Sequence, residues 1–183
     1  MKITVIQVNN NIDGISNRLK YIEQQIQKAG QTDFVVLTEL STSGYIPNKK
    51  IWKYAEVDGE ITKKWATEMS KKYGIYIGAE FVEKSGNDIY NSYLLANSNG
   101  ILGVIRKSEP ESNIFRRGNF EHIVDTPLGK IGVSICLDSH KKSFYESVKK
   151  DDLSMILMPH AWATDIVREI ENNYTNNSLW KCF

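Results

Sequence analysis

Cysteine is scarce in this sequence of 183 residues, which contains only Cys136 and Cys182. Two cysteines cannot build the disulfide framework of a small secreted domain, so we expect a reducing, cytoplasmic setting. The first residues also lack the apolar core and the small-residue cleavage site of a secretory signal. A thiol that stays reduced is available for chemistry if its surroundings activate it.

Charge of one sign and long apolar runs are lacking as well. The formal net charge is +1, and the lysines lie among acidic residues. We therefore expect no bulk attraction to nucleic acid or to an anionic membrane. No apolar run approaches the roughly 18 residues that span a bilayer, so we predict no membrane partner. A small neutral molecule is the easier ligand to expect.

Histidine is equally scarce. His122, His140 and His160, together with Asp138, are the residues that a metal-dependent hydrolase would use. Their spacing matches no recognised ligand pattern. We therefore predict no metal site and no cofactor, and insensitivity to chelators would remove the metal-dependent alternative.

The remaining composition is that of a globular protein, with 41% apolar and 25% charged residues. Apolar residues at spacings of three and four predict helices over 15–29, 61–73, 141–150 and 165 to about 173. Alternating or continuous apolar runs predict strands over 2–8, 34–37, 75–82, 90–96, 101–105, 122–125, 130–135 and 153–158. Since no repeat or linker interrupts this pattern, we interpret residues 1–183 as one mixed α/β domain with a single core.

Three polar residues share one position in this pattern, because Glu39, Lys107 and Cys136 each end a predicted buried strand. If these strands belong to one sheet and run in the same direction, their ends meet at a common edge. A carboxylate could then take the thiol proton, and an ammonium could neutralise an oxyanion. Taken singly, each residue also fits an ordinary role as a buried thiol, a solvated acid or a strand-edge lysine.

Four stretches around these residues form a recognisable set. They are VVLTEL at 35–40 with Gly44-Tyr45, GILGVIRK at 100–107, TPLGKIGVSICLD at 126–138 and LSMILMPHAW at 153–162. In this order and spacing they resemble the nitrilase superfamily of carbon–nitrogen hydrolases. The resemblance runs from residue 1 to about residue 173 and implies a four-layer α-β-β-α sandwich.

The resemblance also implies roles for individual residues. Glu39 would be the general base, Lys107 the oxyanion stabiliser and Cys136 the nucleophile, with the backbone N–H of Leu137 as a second oxyanion donor. Glu111 opens ESNIFRRG and matches the family's second glutamate before a Phe-x-x-Gly, so it takes the supporting role.

The implied reaction is hydrolysis of a small amide through a Cys thioester, with a nitrile or an N-carbamoyl compound as the alternative substrates. Transfer of the acyl group to an amine is an alternative that the sequence leaves open. The candidates for the substrate pocket are Tyr45, Leu137, His160 and Trp162, with Leu137 contributing its backbone N–H. Family members usually form homodimers or larger assemblies, which we expect here if the fold is complete.

The sequence departs from the family in two places. The aromatic-Pro-Glu step after the nucleophile is replaced by Lys141-Lys142-Ser143, and family chains generally continue well beyond residue 183. We therefore expect the C-terminal part of the sandwich to be missing. The alternative to an active enzyme is a catalytically inactive, truncated member that acts as a binding or partner-dependent module.

Overall fold

The computed structural model describes residues 1–161, so the predicted helix from residue 165, Trp162 and Cys182 lie outside the described residues. The helices are α1 (Ile15–Ala29), α2 (Glu60–Tyr73) and α3 (Lys142–Val148), with 3₁₀ helices at Lys49–Tyr54 and Cys136–His140. The strands are β1 (Ile3–Ile6), β2 (Phe34–Leu37), β3 (Glu56–Val57), β4 (Tyr76–Ser85), β5 (Asp88–Asn97), β6 (Gly100–Arg106), β7 (Ile123–Thr126), β8 (Gly129–Val133) and β9 (Leu153–Leu157). Every helix and strand predicted within residues 1–161 is present, whereas β3 and the 3₁₀ helices were not predicted.

The first sheet has six strands in the order β1-β2-β4-β5-β6, with β3 paired to β4. β1, β2 and β4 are parallel, and β4, β5 and β6 form the predicted antiparallel meander. β6 therefore runs in the same direction as β2. All four residues of β2 are buried, as its continuous apolar sequence predicts.

The helices α1 and α2 cover one face of this sheet. Their apolar stripes, which include Leu19, Ile22 and Trp65, join Ile77 and Phe81 in one buried cluster. Burial of such stripes is what stabilises helices of this length in a folded chain. The outermost layer on this side is therefore helical.

The second sheet, β7-β8-β9, packs against the other face of the first. Phe34, Tyr93 and Ile105 from the first sheet share a buried cluster with Ile131 and Val133 from the second. The two backbones approach closely at Gly103, where an added Cβ would lie 2.7 Å from Cγ1 of Val124. The core between the sheets thus requires a residue without a side chain on β6.

The outer face of the second sheet is less covered than the sequence predicts. Leu157 is buried between the sheets, but the alternate residue Ile156 is 40% exposed. The prediction that this strand is buried was therefore wrong for one face of β9.

The short helix α3 packs on His122. The ring of Phe144 on α3 lies edge-on against the His122 ring, with ring centroids 5.1 Å apart.

None of the helices within residues 1–161 has both the length and the apolar character needed to span a membrane.

Candidate active site

Strand ends from both sheets meet at one place. Glu39 follows β2 and Lys107 follows β6, which run in the same direction in the first sheet. Cys136 follows β8 and therefore belongs to the second sheet. The expectation that all three strands belong to one sheet was wrong. The residues still converge because the stacked sheets direct these strand ends toward a shared space.

Lys107 is the centre of the site. Its ammonium donates to Oε1 of Glu39 at 2.7 Å and to the two carboxylate oxygens of Glu111 at 3.1 and 3.2 Å. The side chain of Lys107 is fully buried and that of Glu39 is 1% exposed, whereas Glu111 is partly exposed. Burial lowers the pKa of Lys107, but the charges of Glu39 and Glu111 outweigh it and raise that pKa overall. The ammonium therefore stays charged.

The Glu39 carboxylate is held by three donors. Oε1 accepts from Lys107 and from Nδ2 of Asn91 at 3.1 Å, and Oε2 accepts from the backbone N–H of Ala161 at 2.9 Å. An ionised carboxylate offers about four lone-pair positions, so one position on Oε2 is left. A hydrogen bond between Glu39 and the Cys136 thiol contributes to the raised pKa of that thiol.

Cys136 begins a sharp turn from a strand into a 3₁₀ helix. Its φ is 47°, in the left-handed region that costs a residue with a side chain roughly 1–2 kcal/mol. The conformation is held because the N–H of Cys136 donates to the Pro159 carbonyl at 2.9 Å and its carbonyl accepts from Oγ of Ser139 at 2.8 Å. Leu40, directly after Glu39, has a φ of 50°. Left-handed backbone therefore adjoins the site on both sheets, as is common at functional sites.

The thiol is protonated in the resting site. Burial, followed by the negative charge of Glu39, raises the pKa of Cys136 to about 12, and the charge of Lys107 opposes both effects. A neutral thiol beside a carboxylate can attack an electrophile only if the proton leaves at the same time. Glu39 is the acceptor in place for that proton.

Asp138 joins the two loops that carry Lys107 and Cys136. Its carboxylate accepts from the N–H of Glu109 at 2.7 Å, and from the N–H groups of Ser108 and Ile135 at 3.3 Å each. These N–H groups belong to the loops that follow β6 and β8. The relative position of the ammonium and the thiol therefore depends on one buried side chain.

Two of the predicted pocket residues lie near these charges. The pKa of Tyr45 is raised by burial and then by the charges of Glu111 and Glu39. Its backbone is fixed by Asn10, which donates to the Tyr45 carbonyl at 3.0 Å and accepts from the Tyr45 N–H at 2.7 Å. His160 is half-buried, and burial lowers its pKa while Glu39 opposes the shift.

Of the other two predicted pocket residues, Leu137 belongs to the described part of the chain. Leu137 follows the thiol in the 3₁₀ helix with its side chain 44% exposed, and Trp162 lies outside the described residues. A cavity of about 620 Å³ opens beside the site. Its lining comes from two loops, and includes Leu40, Tyr45, Pro47, Lys49, Glu111 and Phe115.

Three contributions to the site were missed by the sequence analysis. Asn91 and the N–H of Ala161 both hold Glu39, and Asp138 was considered only as a metal ligand. A signal existed for Asn91, which is a polar residue inside a mostly apolar predicted strand. The hydrogen bonds of Asp138 and Ala161 depend on loop geometry, which leaves no periodic pattern.

The histidines and Asp138 do not converge as metal ligands. Within the part of the chain that the structure describes, no group of three or more His, Cys, Asp or Glu side chains could hold a metal ion. His122 is buried, with Nε2 3.1 Å from Oγ of Ser108 and Nδ1 3.1 Å from the Val133 carbonyl. These contacts give His122 a structural role.

The sequence matches a known protein family. The family model described as carbon-nitrogen hydrolase matches residues 2–174. A probable nitrilase of Schizosaccharomyces pombe is 34% identical over 143 residues, which cover 74% of this chain and 52% of the relative. A citrullinase of Francisella tularensis is 32% identical over 152 residues, which cover 75% of this chain and 53% of the relative. The chain thus spans about half the length of these curated relatives.

The fold is also found among solved structures. A CN-hydrolase superfamily protein of Xanthomonas campestris superposes with a TM-score of 0.79 at 20% sequence identity, over 94% of this chain and 69% of that chain. This similarity confirms the predicted sandwich, and the matched family model confirms the resemblance read from the four stretches. The chain belongs to the carbon–nitrogen hydrolase family, within the nitrilase superfamily.

Proposed function

We propose that this chain hydrolyses a non-peptide carbon–nitrogen bond of a small amide through a thioester on Cys136. The observation that carries the proposal is the buried Glu39–Lys107 ion pair, joined by the partly exposed Glu111, which holds a carboxylate beside a protonated thiol. In this proposal Glu39 is the general base and Lys107 stabilises the oxyanion. Glu111 supports the position and the charge of Lys107.

The first half of the reaction forms the thioester. The sulfur of Cys136 attacks the carbonyl carbon while the thiol proton moves to Glu39. Lys107 and the N–H of Leu137 stabilise the negative charge that develops on the carbonyl oxygen. Glu39 then gives the proton to the leaving nitrogen, the carbon–nitrogen bond breaks, and ammonia or an amine departs.

The second half releases the acid. Glu39 takes a proton from a water molecule, whose oxygen attacks the thioester carbon. The carbon–sulfur bond breaks, the thiolate of Cys136 regains the proton from Glu39, and the carboxylic acid leaves. Because one residue acts alternately as base and acid, replacing Glu39 blocks both halves.

The cavity supports a small substrate. Its volume of about 620 Å³ lies within the usual range for small-molecule sites, and Tyr45 and Glu111 line it. The relatives are named for a nitrile substrate in one case and for citrulline in another, so their names support the bond class rather than one compound. We infer an amide, with nitriles and N-carbamoyl compounds as the next candidates.

A cytoplasmic location and a homodimer or larger assembly stay predictions.

The test is ammonia release from a panel of short aliphatic amides, ureido acids and nitriles. The wild-type chain should release ammonia from at least one class, and Cys136→Ala should abolish it. Glu111→Gln should lower the rate, whereas Glu109→Gln is the matched control, since Glu109 lies in the same loop but pairs with Arg117 at 2.8 Å. Ammonia release that persists in Cys136→Ala would refute the thioester, and a folded chain inactive on all three classes would favour the binding-module alternative.

A further inference from the structure

A third glutamate lies deep in the site without a role in the reaction described above. Glu80 on β4 is fully buried, and neither of its carboxylate oxygens has a hydrogen-bond partner among the described residues. Within the same part of the chain, Oδ1 of Asn91 is also buried without a partner. A buried polar atom without a hydrogen bond is costly, so three of them on two adjacent side chains require an explanation.

The strand register places these two side chains together. Val82 pairs with Asn91 and Glu80 pairs with Tyr93 across β4 and β5, so Glu80 and Asn91 are diagonal neighbours on one face of the sheet. The Asn91 side chain is close enough to Glu80 to lower the pKa of that carboxyl. On its other side, Nδ2 of Asn91 donates to Glu39.

The charges around Glu80 favour its neutral form. Burial and then the charge of Glu39 raise the pKa of Glu80 well above its ordinary value, whereas the charge of Lys107 and polar contacts from the backbone N–H of Leu40 and the Asn91 side chain oppose them. Tyr93 is a further titratable neighbour, and its own pKa is raised by burial and by Glu80. A second ionised carboxylate beside Glu39 would be desolvated without a cation of its own.

We propose that Glu80 is a carboxylic acid whose O–H donates to Oδ1 of Asn91 and so fixes the Nδ2 group of Asn91 on Glu39. This single hydrogen bond satisfies the acid proton and the orphaned amide oxygen together. It also determines which end of the amide faces Glu39, because an amide has one donor end and one acceptor end. Glu80 is thus a positioning residue, and this role rests on the proposed function of Glu39 as general base.

The alternative orientation of Asn91 shows why the hydrogen bond from Glu80 matters. Without the donor at Glu80, the amide can turn over and place its oxygen against the Glu39 carboxylate. Glu39 would then lose one of its three donors and gain a repulsive contact. Its remaining oxygen would no longer be held toward the thiol.

Infrared spectroscopy tests the protonation of Glu80 without any substrate. The difference spectrum between the wild type and Glu80→Gln at neutral pH should show loss of a protonated-carboxyl band. Glu83→Gln is the matched control and should show loss of carboxylate bands, because Glu83 is buried but paired with Arg106 at 2.7 Å. Loss of carboxylate bands in Glu80→Gln would overturn the proposal. This result is independent of whether the chain turns over any amide.

Kinetics test the orienting role with the amide that releases most ammonia. Glu80→Met has a similar volume but no donor, and should lower kcat about tenfold with little change in KM. Glu80→Gln keeps a donor and should restore most of kcat, with the acid limb of the pH profile unmoved. A fully active Glu80→Met would overturn the proposal, as would an acid limb that moves to lower pH in Glu80→Gln. If Glu80→Met fails to fold, the infrared result and the Glu80→Gln profile still decide.

Discussion

At the scale of single residues, the site keeps its thiol protonated and its lysine charged. Burial and the carboxylate of Glu39 raise the pKa of Cys136 to about 12, while Glu39 and Glu111 hold Lys107 in its ammonium form. In the proposed reaction, attack at neutral pH then depends on proton transfer to Glu39 and not on a thiolate already present. This distinguishes the site from one in which a cysteine is activated by a lowered pKa.

The first prediction concerns the titration of the thiol. Because the charge of Glu39 raises the pKa of Cys136, Glu39→Gln should make the thiolate form at lower pH than in the wild type. The measurement is thiolate ultraviolet absorbance against pH, with Cys136→Ser subtracted in each background. A titration at unchanged or higher pH in Glu39→Gln would show that the carboxylate does not act on this thiol.

The second prediction concerns the buried ion pair. Lys107→Met leaves Glu39 buried without its cation, so it should lower the free energy of unfolding by about 3 kcal/mol in urea denaturation. Lys130→Met is the control, since that lysine is 44% exposed beside Asp151 and surface pairs contribute little. Adding Glu39→Gln to Lys107→Met should recover part of the loss. Equal losses for the two lysine variants would contradict the burial argument.

At the scale of elements, the site depends on loops from two sheets held in register by Asp138. The third prediction is that Asp138→Asn replaces one acceptor oxygen by a donor, which then faces either the N–H of Glu109 or the N–H groups of Ser108 and Ile135. We expect a loss of about 2 kcal/mol in the free energy of unfolding, together with a large fall in kcat. Asp125→Asn, at an exposed position on β7, should leave both unchanged. If Asp138→Asn kept the free energy of unfolding of the wild type but lost activity, the structural part of this prediction would be contradicted, and Asp138 would matter for catalysis alone.

The same scale shows which features the sequence could predict. Apolar periodicity located α1, α2 and the strands of the meander, because burial of one face imposes a regular spacing. It could not assign Cys136 to the second sheet, because strand pairing is decided by contacts distant in sequence. The roles of Glu80 and Asn91 could not be predicted from the sequence either. Diagonal contacts across β4 and β5 require the register, and a polar residue inside an apolar strand signals only that some partner exists.

At the scale of the whole molecule, the sandwich depends on close approach of its sheets. The fourth prediction is that Gly103→Ala lowers the free energy of unfolding by about 1–3 kcal/mol, because the new Cβ would lie 2.7 Å from Cγ1 of Val124. Val124→Ala removes that contact, so the double variant should lose less stability than the sum of the single variants. Strict additivity in urea denaturation would show that the sheets do not meet at this point.

The chain spans about half the length of the relatives it matches, and yet Glu39, Lys107, Glu111 and Cys136 all lie within residues 1–161. Within residues 1–161, the two sheets and the loops at their ends bring these four side chains together. The central proposal is therefore that Cys136 of this chain forms a thioester with an amide substrate.

The most direct test of that claim is mass spectrometry of the chain quenched in acid during reaction with the most active amide. The account predicts an adduct with the mass of the acyl group on the peptide that contains Cys136, absent in Cys136→Ala and in the wild type before substrate is added. Ammonia released at the wild-type rate by Cys136→Ala, or an acyl adduct found only on another residue, would contradict it.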